Sequence, residues 1–405
     1  MALIVQKFGG SSVADIERIQ NVARRVARTV AAGNQVVVVL SAMGDTTDDL
    51  IALARQLTPY PSEREMDMLM STGEQQSVAL LAIALQSMGY KAVSLTGEQA
   101  GIRTDRVYSR DKILSIDSVR LERELASGKV VIVTGFQGVD SLGEIHTLGR
   151  GGSDTSGVAL AIGLNADFCE IYTDVDGVYT ADPRIVPQAH KLAEISFDEM
   201  LEMSSLGAGV LQPRSVEVAK TFNMPICVRS SFNDNEGTMV KEEVDMKQLE
   251  REVLVSGVAY DGDVVKVTVY GVPDRPGIAS ELFGALADAK INVDMIIQSG
   301  HKDGKNDISF TCGKEADGKL EEILEPVVEQ LAAEHFSLAD DVAKVSIVGA
   351  GMITNPGAAP KSFKSLNDTA FNIHMISTSE IKVSCILQKE GAKDAVRALH
   401  DSFGL

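Results

Sequence analysis

The 405-residue sequence has no tryptophan, only four cysteines and no long apolar run. No two of the cysteines, Cys169, Cys227, Cys312 and Cys385, have the CxxC spacing of metal or redox sites, so we expect four reduced core residues. No stretch approaches the roughly 20 apolar residues of a membrane helix, and the first residues predict a strand rather than a signal peptide. These absences predict a cytoplasmic protein that does not associate with membranes.

Basic residues are also scarce. The sequence has 38 Lys and Arg against 57 Asp and Glu, which gives a net charge of -19. A chain of this charge repels a phosphate backbone, so nucleic acid is not expected as a partner, and a small anionic substrate would need a local basic pocket. The length predicts two or three domains, each large enough to bury a core.

Up to about Met239, apolar strand-like runs alternate with helix-length periodic segments. This alternation predicts a three-layer αβα domain with a mainly parallel sheet, over residues 1–245. The predicted strands are LIVQKF, VVVVLSAM, AVSL, VVIVTGF and FCEIYTDV, and the predicted helices run from Val13 to Ala32, from Gln75 to Met88 and near Val158. The arginines of the first helix, at 18, 24, 25 and 28, are interpreted as a solvated face. A polar segment from Asn233 to Glu252 predicts a domain boundary.

The C-terminal part contains an internal repeat. The segment from Lys266 aligns with the segment from Lys344, and each copy predicts strand, Pro-Gly turn, helix, strand, strand and helix. The second copy has no chain left for a closing strand, so we expect Val253 to Tyr260 to complete its sheet. The predicted α+β (βαββαβ) domains therefore cover residues 264–340, and residues 253–262 plus 341–405.

Four turns at predicted strand ends carry polar residues and glycines. The first, KFGGSS, is compatible with a phosphate site, in which Lys7 supplies charge and the glycines expose amides, or with a plain turn in which Ser12 and Asp15 form a capping box. The other three are LSAMGDTTDD, LGRGGSDTSG and YTDVDGVYTADPR. Because ligands bind outside the carboxyl ends of strands in open α/β sheets, the four turns together favour a ligand site.

These turns, with STGE and GFQG between them, resemble in order the motifs of the aspartokinases, specifically the single-function bacterial type of the amino-acid-kinase fold. The C-terminal repeat resembles the paired ACT domains of that family, so the resemblance covers nearly the whole chain. It implies an aspartate kinase (EC 2.7.2.4) that uses ATP and Mg²⁺ to make 4-phospho-L-aspartate, the first step toward lysine, threonine and methionine. The attacking carboxylate is already an anion, so positioning and charge neutralisation are the main tasks.

The resemblance also implies roles for particular residues. The catalytic residues would be Lys7, Glu74 and Asp154, with no protein side chain assigned to metal. The ATP-binding residues would be Lys7, Phe8, Gly9, Gly10, Ser41, Thr173, Asp174, Tyr179, Asp182 and Arg184. The aspartate-binding residues would be Thr47, Glu74, Arg150, Gly151, Gly152, Ser153 and Asp154. The pair Ser71 and Glu74 is also compatible with a capping box at a helix start.

One position departs from the pattern of the fold. Other members have a second phosphate-binding lysine, and here the matching turn has Gly209. Arg214 or Arg229 could replace its charge, and the sequence does not decide between them.

The ACT resemblance implies regulation by L-threonine and L-lysine. The matching effector positions are Asp274, Gly277, Ile278, Ala279 and Gln298, and in the second module Ala358, Ala359, Asn372 and Ile373. A homo-oligomer is expected, or a hetero-oligomer with a shorter C-terminal subunit started near Met246. Two alternatives stay open: a kinase of the same fold acting on glutamate or a nucleotide, and a catalytically inactive amino-acid sensor.

Overall fold

The computed structural model describes residues 1–108, 111–149, 151–242, 254–300, 304–353, 355–368 and 371–405. The chain divides into two compact units, and successive segments of the sequence alternate between them. The N-terminal unit comprises Met1–Val178, Lys191–Ser205 and Gly209–Lys247, and the C-terminal unit comprises Tyr179–His190, Leu206–Ala208 and Gln248–Leu405.

The N-terminal unit alternates strands and helices. Its strands are β1 (Leu3–Phe8), β2 (Gln35–Leu40), β3 (Ala92–Leu95), β4 (Ile102–Thr104), β5 (Ile113–Ile116), β6 (Val130–Thr134), β7 (Gln137–Val139), β8 (Ile145–Thr147), β9 (Phe168–Thr173), β10 (Glu194–Ser196), β11 (Ile226–Ser230) and β12 (Thr238–Lys241). Its helices are α1 (Ile16–Ala31), α2 (Thr46–Leu57), α3 (Glu63–Ser87), α4 (Val119–Ala126), α5 (Gly152–Gly163), α6 (Phe197–Met203) and α7 (Pro213–Thr221).

Eight of these strands form one sheet in the order β10-β12-β11-β9-β1-β2-β6-β3. Only β11 and β12 pair antiparallel; the other neighbours are parallel. The mainly parallel sheet expected from the sequence is therefore confirmed. A second sheet, β5-β4-β7-β8, was not expected, because strands of three or four residues are too short to show a period of two.

Side chains alternate across the large sheet and so define its two helical layers. Phe8, Val38 and Ile132 point into a core cluster that includes residues of α1 and α3. Lys7 precedes Phe8 and points to the opposite face, where its Cβ lies 3.1 Å from the ideal Cβ position of Gly157 in α5. The glycine allows α5 to pack against β1, and this packing buries the Lys7 stem.

The start of α1 differs from its prediction. A short 3-10 turn, Gly10–Val13, follows the first glycine motif, and α1 itself begins at Ile16. Asp15 is the N-cap and accepts a hydrogen bond from the backbone N–H of Arg18 at 2.8 Å. The Ser12 hydroxyl instead donates to Ser231 Oγ at 2.9 Å. The predicted Ser12–Asp15 capping box is wrong for Ser12, although Asp15 does cap the helix.

Two further local predictions are corrected. The predicted helix start at Ser71 is wrong, because Ser71 lies inside the 25-residue helix α3 and its hydroxyl donates to the Met68 carbonyl. The apolar spacing before Ser71 depends largely on methionines, which left this part of the helix unpredicted. The segment predicted as a boundary begins too early, because it contains β12, an integral strand of the large sheet, although the change from the N-terminal to the C-terminal unit does fall within it.

The C-terminal unit contains two similar modules. Its strands are β13 (Gly257–Asp261), β14 (Val264–Pro273), β15 (Val293–Gln298), β16 (Lys305–Gly313), β17 (His335–Ala339), β18 (Val342–Val348), β19 (Ile373–Thr378) and β20 (Lys382–Gln388). Its helices are α8 (Ile278–Asp288), α9 (Asp317–Leu331), α10 (Ala358–Asp368) and α11 (Ala392–Phe403).

Each module has a four-stranded sheet, β15-β16-β14-β17 in the first and β13-β18-β20-β19 in the second. Strand β13 pairs antiparallel with β18, with Gly257 opposite Val348. The prediction that the chain before the first copy completes the second is confirmed, although residue 253, where that prediction began, lies outside the described residues. The second module thus takes strands from both sides of the first in the sequence.

The segment Tyr179–His190 belongs to the core of the second module. Ile185 and Val186 are buried in a cluster with residues such as Leu399 of α11. Arg397, also in α11, donates from Nε to the Ile185 carbonyl at 2.9 Å. This segment is therefore an integral part of the C-terminal unit, although it lies far from the rest of it in sequence.

The scarcity of cysteine and of long apolar runs has a structural counterpart. Cys169, Cys227, Cys312 and Cys385 are all free, as predicted, and the first, third and fourth are buried. In the described ranges, no helix combines the length and the apolar character needed to cross a lipid bilayer.

We expect the replacement Ile185→Ala to destabilise the C-terminal unit by about 2–4 kcal/mol, because it leaves a cavity in a packed core. Ile185 is 5% exposed. Urea unfolding should show an earlier midpoint, and amide hydrogen exchange in α11 should accelerate. The control is Ile353→Ala, because Ile353 is 58% exposed in the same unit. Equal effects of the two substitutions would contradict the packing described for this segment.

Candidate active site

The predicted polar turns meet at the carboxyl edge of the large sheet, where main-chain hydrogen bonds connect them. The Gly44 N–H donates to the Gly10 carbonyl at 3.1 Å, which joins the turn after β1 to the turn after β2. The Gly9 N–H donates to the Tyr172 carbonyl at 3.2 Å, which joins the first turn to β9. Adjacent parallel strands end on the same side, so turns that are distant in sequence form one surface.

Lys7 and Asp154 form a nearly buried ion pair at this edge. Lys7 Nζ lies 2.5 Å from Asp154 Oδ1, and the two side chains are 9% and 11% exposed. Lys7 comes from β1 and Asp154 from the first turn of α5, so the pair connects the sheet to the helix layer. An anion that approaches Lys7 meets a charge already oriented by a rigid partner.

Glycines set how closely the turns approach each other. A Cβ on Gly10 would lie 3.0 Å from the Ala42 carbonyl oxygen and 3.1 Å from the Gly44 carbonyl oxygen, so the contact between the turns requires a small residue. On Gly9 the nearest atom to a Cβ would be Lys7 Nζ at 3.6 Å, an ordinary contact. The fold alone therefore does not require glycine at position 9, and that position offers room beside the lysine ammonium.

Two serines join the second turn to the start of α5. Ser41 Oγ donates to Ser153 Oγ at 2.9 Å. The Ser41 carbonyl accepts a hydrogen bond from Ser77 Oγ of α3 at 2.8 Å. Ser41 is thus fixed by two helices, and the predicted phosphate and aspartate residues become direct neighbours.

Glu74 is a buried carboxyl group with one unsatisfied oxygen. Its Oε1 accepts from the Ala42 N–H at 3.2 Å, and its Oε2 has no hydrogen-bond partner among the described residues. Burial raises the pKa of Glu74 from 4.5 to about 8. The group is therefore largely protonated at neutral pH in the free protein. A nearby ammonium group would stabilise its charged form and provide the missing partner.

The other predicted residues take varied positions. Thr47 lies in the first turn of α2 and is half-buried. The Phe8 side chain stacks on Tyr172 in the core, with ring centroids 4.5 Å apart, so Phe8 offers a ligand no side-chain contact. At the end of β9, Thr173 Oγ1 donates to Asp174 Oδ1 at 3.0 Å. Residue Arg150 lies outside the described residues.

Three predicted nucleotide residues, Tyr179, Asp182 and Arg184, belong to the C-terminal unit. There the Arg184 guanidinium binds the Asp182 carboxylate with two nitrogens, Nη2 at 2.8 Å and Nε at 3.0 Å. The remaining part of the Arg184 side chain is exposed to solvent.

The two arginines considered as a second phosphate cation both hold protein partners. Arg229 donates from Nη1 to Glu170 Oε1 at 3.1 Å. Arg214 donates from Nη1 to the Leu148 carbonyl at 2.9 Å and from Nη2 to the Asp111 carbonyl at 2.6 Å. The main-chain contacts of Arg214 could not be predicted from the sequence, because they depend on the unexpected small sheet and its loops.

The first C-terminal module has a pocket of about 460 Å³ where the sequence predicted an effector. The five predicted residues line it: Asp274, Gly277, Ile278, Ala279 and Gln298. Gly277 adopts φ +96° directly before α8, so the first amides of that helix are accessible at the pocket. Asn306 also lines it and donates from Nδ2 to Asp274 Oδ1 at 3.2 Å. Sequence reasoning missed Asn306; its place opposite Val272 in the β14–β16 pairing depends on strand register.

The corresponding residues of the second module are less available. Ala358 is buried, and Ala359 and Ile373 pack against the apolar core of the module. Asn372 is exposed. Asn355 directly precedes the Pro-Gly turn, as Arg275 does in the first module, and its Oδ1 accepts from the Gly357 N–H at 3.0 Å. This hydrogen bond uses one acceptor position of the Asn355 oxygen within the turn itself.

Comparison with known families agrees with this architecture. The sequence profile of the amino acid kinase family matches residues 2–230, and profiles of the ACT domain match residues 266–329 and 345–403. The chain is 52% identical to the aspartokinase of Geobacillus stearothermophilus over 405 residues, which are all of this chain and 98% of that protein. This chain belongs to the aspartokinase family. It is an aspartate kinase (EC 2.7.2.4) with ACT regulatory domains.

Further relatives extend the comparison. The aspartokinase of Corynebacterium glutamicum is 50% identical over 408 residues, covering all of this chain and 97% of its own. The crystal structure of E. coli aspartokinase III in complex with aspartate and ADP, in the R-state, has a TM-score of 0.83 at 27% identity, and the match covers both chains in full. The crystal structure of aspartate kinase from Synechocystis has a TM-score of 0.56 at 51% identity, covering all of this chain and 70% of that chain. As an aspartokinase, this chain uses a nucleotide.

The raised pKa of Glu74 makes the stability of the unliganded aspartokinase depend on pH. Unfolded, the group loses its proton near pH 4.5; folded, it keeps the proton to about pH 8. The wild type should therefore lose stability relative to Glu74→Gln as the pH rises from 5 to 8, by on the order of 3 kcal/mol. Urea unfolding followed by circular dichroism at pH 5 and pH 8 measures this difference.

The control is Glu98→Gln, because Glu98 is exposed. The stability difference between Glu98→Gln and the wild type should stay the same at both pH values. A pH-independent difference between Glu74→Gln and the wild type would show that Glu74 titrates normally in the folded protein.

Proposed function

We propose that the phosphoryl transfer takes place at the carboxyl edge of the large sheet, between the Lys7–Asp154 pair and Glu74. A side-chain carboxylate oxygen of L-aspartate attacks the γ-phosphorus of ATP, the bond from that phosphorus to the β-γ bridging oxygen breaks, and ADP and 4-phospho-L-aspartate form. The observation that carries the proposal is the 2.5 Å contact between Lys7 Nζ and Asp154 Oδ1 at the junction of the strand-end turns.

The chemistry requires charge neutralisation more than proton transfer. The nucleophile is ionised at neutral pH, so its approach to a polyphosphate is opposed mainly by repulsion. The Lys7 ammonium supplies a positive charge, and the open space at Gly9 lets the transferring group come close to it. Asp154 holds the ammonium in place when the site is empty. Gly10 and Ser41 complete the phosphate side of this proposal.

The aspartate side uses complementary groups. Glu74, which has an unsatisfied buried oxygen, is suited to accept from the substrate ammonium. The turn from Arg150 to Ser153 supplies a guanidinium, two glycines and a hydroxyl for the substrate carboxylates, since an arginine can donate two parallel hydrogen bonds to a carboxylate. Thr47 is assigned to the same side by the resemblance.

On the nucleotide side, we propose that Thr173 and Asp174 lie near the bound ATP, because they end the strand adjacent to β1. The roles of Phe8, Tyr179, Asp182 and Arg184 toward ATP stay predictions from the sequence. Mg²⁺ binds phosphates and keeps several of its waters, so it would arrive with ATP and neutralise charge on the transferring group.

We further propose that threonine and lysine inhibit the kinase, with the pocket at Asp274 as the main effector site. A carboxylate can bind the free amides at the start of α8, while Asp274 accepts from an ammonium. The crystal structure of E. coli aspartokinase III in complex with lysine and aspartate, in the T-state, has a TM-score of 0.78 at 27% identity. This lysine complex of a related enzyme supports an amino acid effector here.

The broader expectations stay proposals as well. We propose that the enzyme catalyses the first step toward lysine, threonine and methionine and that it is cytoplasmic. We also propose that it forms a homo-oligomer, or a hetero-oligomer with a shorter subunit started near Met246. Residue 246 itself lies outside the described residues. The need for ATP supports the cytoplasmic location.

The replacement Lys7→Ala should lower turnover by at least 100-fold without unfolding the protein, because it removes the positive charge at the phosphoryl group. Incubation with MgATP, L-aspartate and hydroxylamine traps an acyl phosphate as the hydroxamate, which is quantified by colour. Lys129→Ala removes a surface lysine that pairs with Glu124 and should leave the yield unchanged.

Near-normal turnover of Lys7→Ala would remove this lysine from the mechanism. Hydroxamate formed with glutamate but not with aspartate would favour the glutamate kinase alternative. No hydroxamate with either amino acid would favour the sensor.

The replacement Asp274→Ala should raise the threonine concentration needed for half-inhibition by at least 10-fold and leave the uninhibited rate unchanged, because only the effector pocket loses its acceptor. Activity is measured at increasing threonine, alone and with lysine. Asp288→Ala, an exposed change at the end of α8 in the same module, is the control. Unaltered inhibition of Asp274→Ala would place the threonine site elsewhere.

A further inference from the structure

Leu148 and Gly151, which lie in the turn between β8 and α5, are contacted by groups outside the proposed substrate contacts. The preceding residue, Thr147, donates from its N–H at 3.0 Å and from its hydroxyl at 2.6 Å to the buried carboxylate of Asp67 in α3. The Thr147 carbonyl accepts from the Asp111 N–H at 3.2 Å. These bonds fix the strand that enters the turn, and the Leu148 N–H donates to the Phe136 carbonyl at 2.8 Å.

The first turn of α7 adds a contact to the carbonyl side of the turn. Arg214 donates to the Leu148 carbonyl and to the Asp111 carbonyl with separate nitrogens, at 2.9 and 2.6 Å. One rigid guanidinium therefore joins the start of the substrate turn to the loop that ends at Asp111. A lysine at this position could donate to either carbonyl but has no planar fork that fixes the angle between the two bonds.

A second residue of the same helix start contacts the turn sterically. Gly151 adopts φ +70°, and a Cβ there would lie 2.0 Å from Gln212 Cγ. The Gln212 side chain thus occupies the space that a side chain at position 151 would need. Gln212 is the N-cap residue of α7 and immediately precedes its Pro213, so its backbone position is restricted.

We propose that Arg214 and Gln212 are positioning residues that set the geometry of the aspartate-binding turn, Arg214 by hydrogen bonds and Gln212 by contact with Gly151. The inference rests on the proposed role of residues 150–154 in binding aspartate. Neither side chain touches the substrate in this scheme. Their loss moves the groups that bind the aspartate carboxylates, and it leaves the Lys7 side of the site in place.

This assignment differs from a phosphate role for Arg214. Both of its terminal nitrogens already donate to carbonyl groups, and releasing them would leave two carbonyl oxygens without those donors. If Arg214 bound a phosphate of ATP, its variants would bind ATP more weakly. A positioning residue for the turn predicts weaker aspartate binding with ATP binding preserved.

The first test compares Arg214→Lys and Arg214→Gln with Lys220→Gln, which removes an exposed ion pair with Asp198 in the last turn of α7. We expect the KM for aspartate to rise at least 10-fold in both Arg214 variants, and the rise should be smaller in Arg214→Lys than in Arg214→Gln. The KM for ATP should stay within about twofold of the wild type. Lys220→Gln should match the wild type. ADP binding by calorimetry reports whether each variant keeps its folded nucleotide site.

A larger rise in the KM for ATP than for aspartate would overturn the proposal and return Arg214 to the phosphate side. Unchanged constants in Arg214→Gln would overturn it as well. If Arg214→Gln does not fold, Arg214→Lys decides, since it keeps the charge and the stem.

The second test uses a double-mutant cycle. Gly151→Ala should raise the KM for aspartate at least 10-fold, and adding Gln212→Gly should recover part of this loss, because it removes Gln212 Cβ, Cγ and Cδ, which would lie 2.5, 2.0 and 2.7 Å from the new methyl group. Recovery is partial because φ +70° still disfavours alanine. Strictly additive effects would contradict a direct contact between the two residues.

Ser153→Ala distinguishes the substrate role of the turn from the positioning role of Arg214 and Gln212. If Ser153→Ala and Gly151→Ala both leave the KM for aspartate unchanged, the proposed substrate role of the turn fails. If these substitutions raise it and the Arg214 and Gln212 variants do not, only the positioning role fails.

Discussion

The ion pair between Lys7 and Asp154 is the constraint around which the N-terminal unit is arranged. A nearly buried lysine and carboxylate are costly to desolvate unless each satisfies the other, so the two must be held together by the backbone on both sides. Strand β1 supplies one and the start of α5 the other, and Gly157 lets the helix approach closely enough. The pair thus ties the stability of the sheet–helix contact to the presence of a charged group at the strand end.

The charge distribution at the site differs from that of the whole chain. The protein carries a net charge of -19, yet the two buried carboxyl groups of the site, Asp154 and Glu74, add little negative charge beside Lys7. Asp154 is neutralised by Lys7, and burial raises the pKa of Glu74 to about 8, so this carboxyl is mostly uncharged until a cation arrives. A polyphosphate that approaches Lys7 therefore meets little repulsion from these two carboxyl groups.

Much of the architecture was predictable from the sequence, because strong patterns are local or repeated. The apolar runs predicted the parallel sheet, and the internal repeat predicted two similar modules. The lack of a closing strand in the second copy predicted that β13 pairs with the second module. The family order of motifs predicted Lys7 and Asp154 for one site, and these two residues do lie in contact. The turns meet as expected because strand ends of a parallel sheet converge whatever the exact loop lengths.

The failures came where packing overrides local preference. Ser71 and Glu74 match a capping pattern, yet α3 continues through them because its buried face packs on the sheet. The contacts of Arg214 depend on three-residue strands and loops that have no sequence signature. Asn306 depends on register, which a single sequence specifies poorly. In each case the decisive partner is distant in the chain.

The placement of Tyr179–His190 has a consequence for how this molecule can be divided. A polypeptide beginning near Met246 would contain both ACT modules in sequence, but not the segment that places Ile185 and Val186 among their apolar side chains. Such a fragment would expose a hydrophobic depression on α11 that the full-length chain fills from within. The boundary between the two halves of the sequence therefore differs from the boundary between the two hydrophobic cores. A regulatory half translated separately would either need another segment to cover this apolar surface or leave it exposed to solvent.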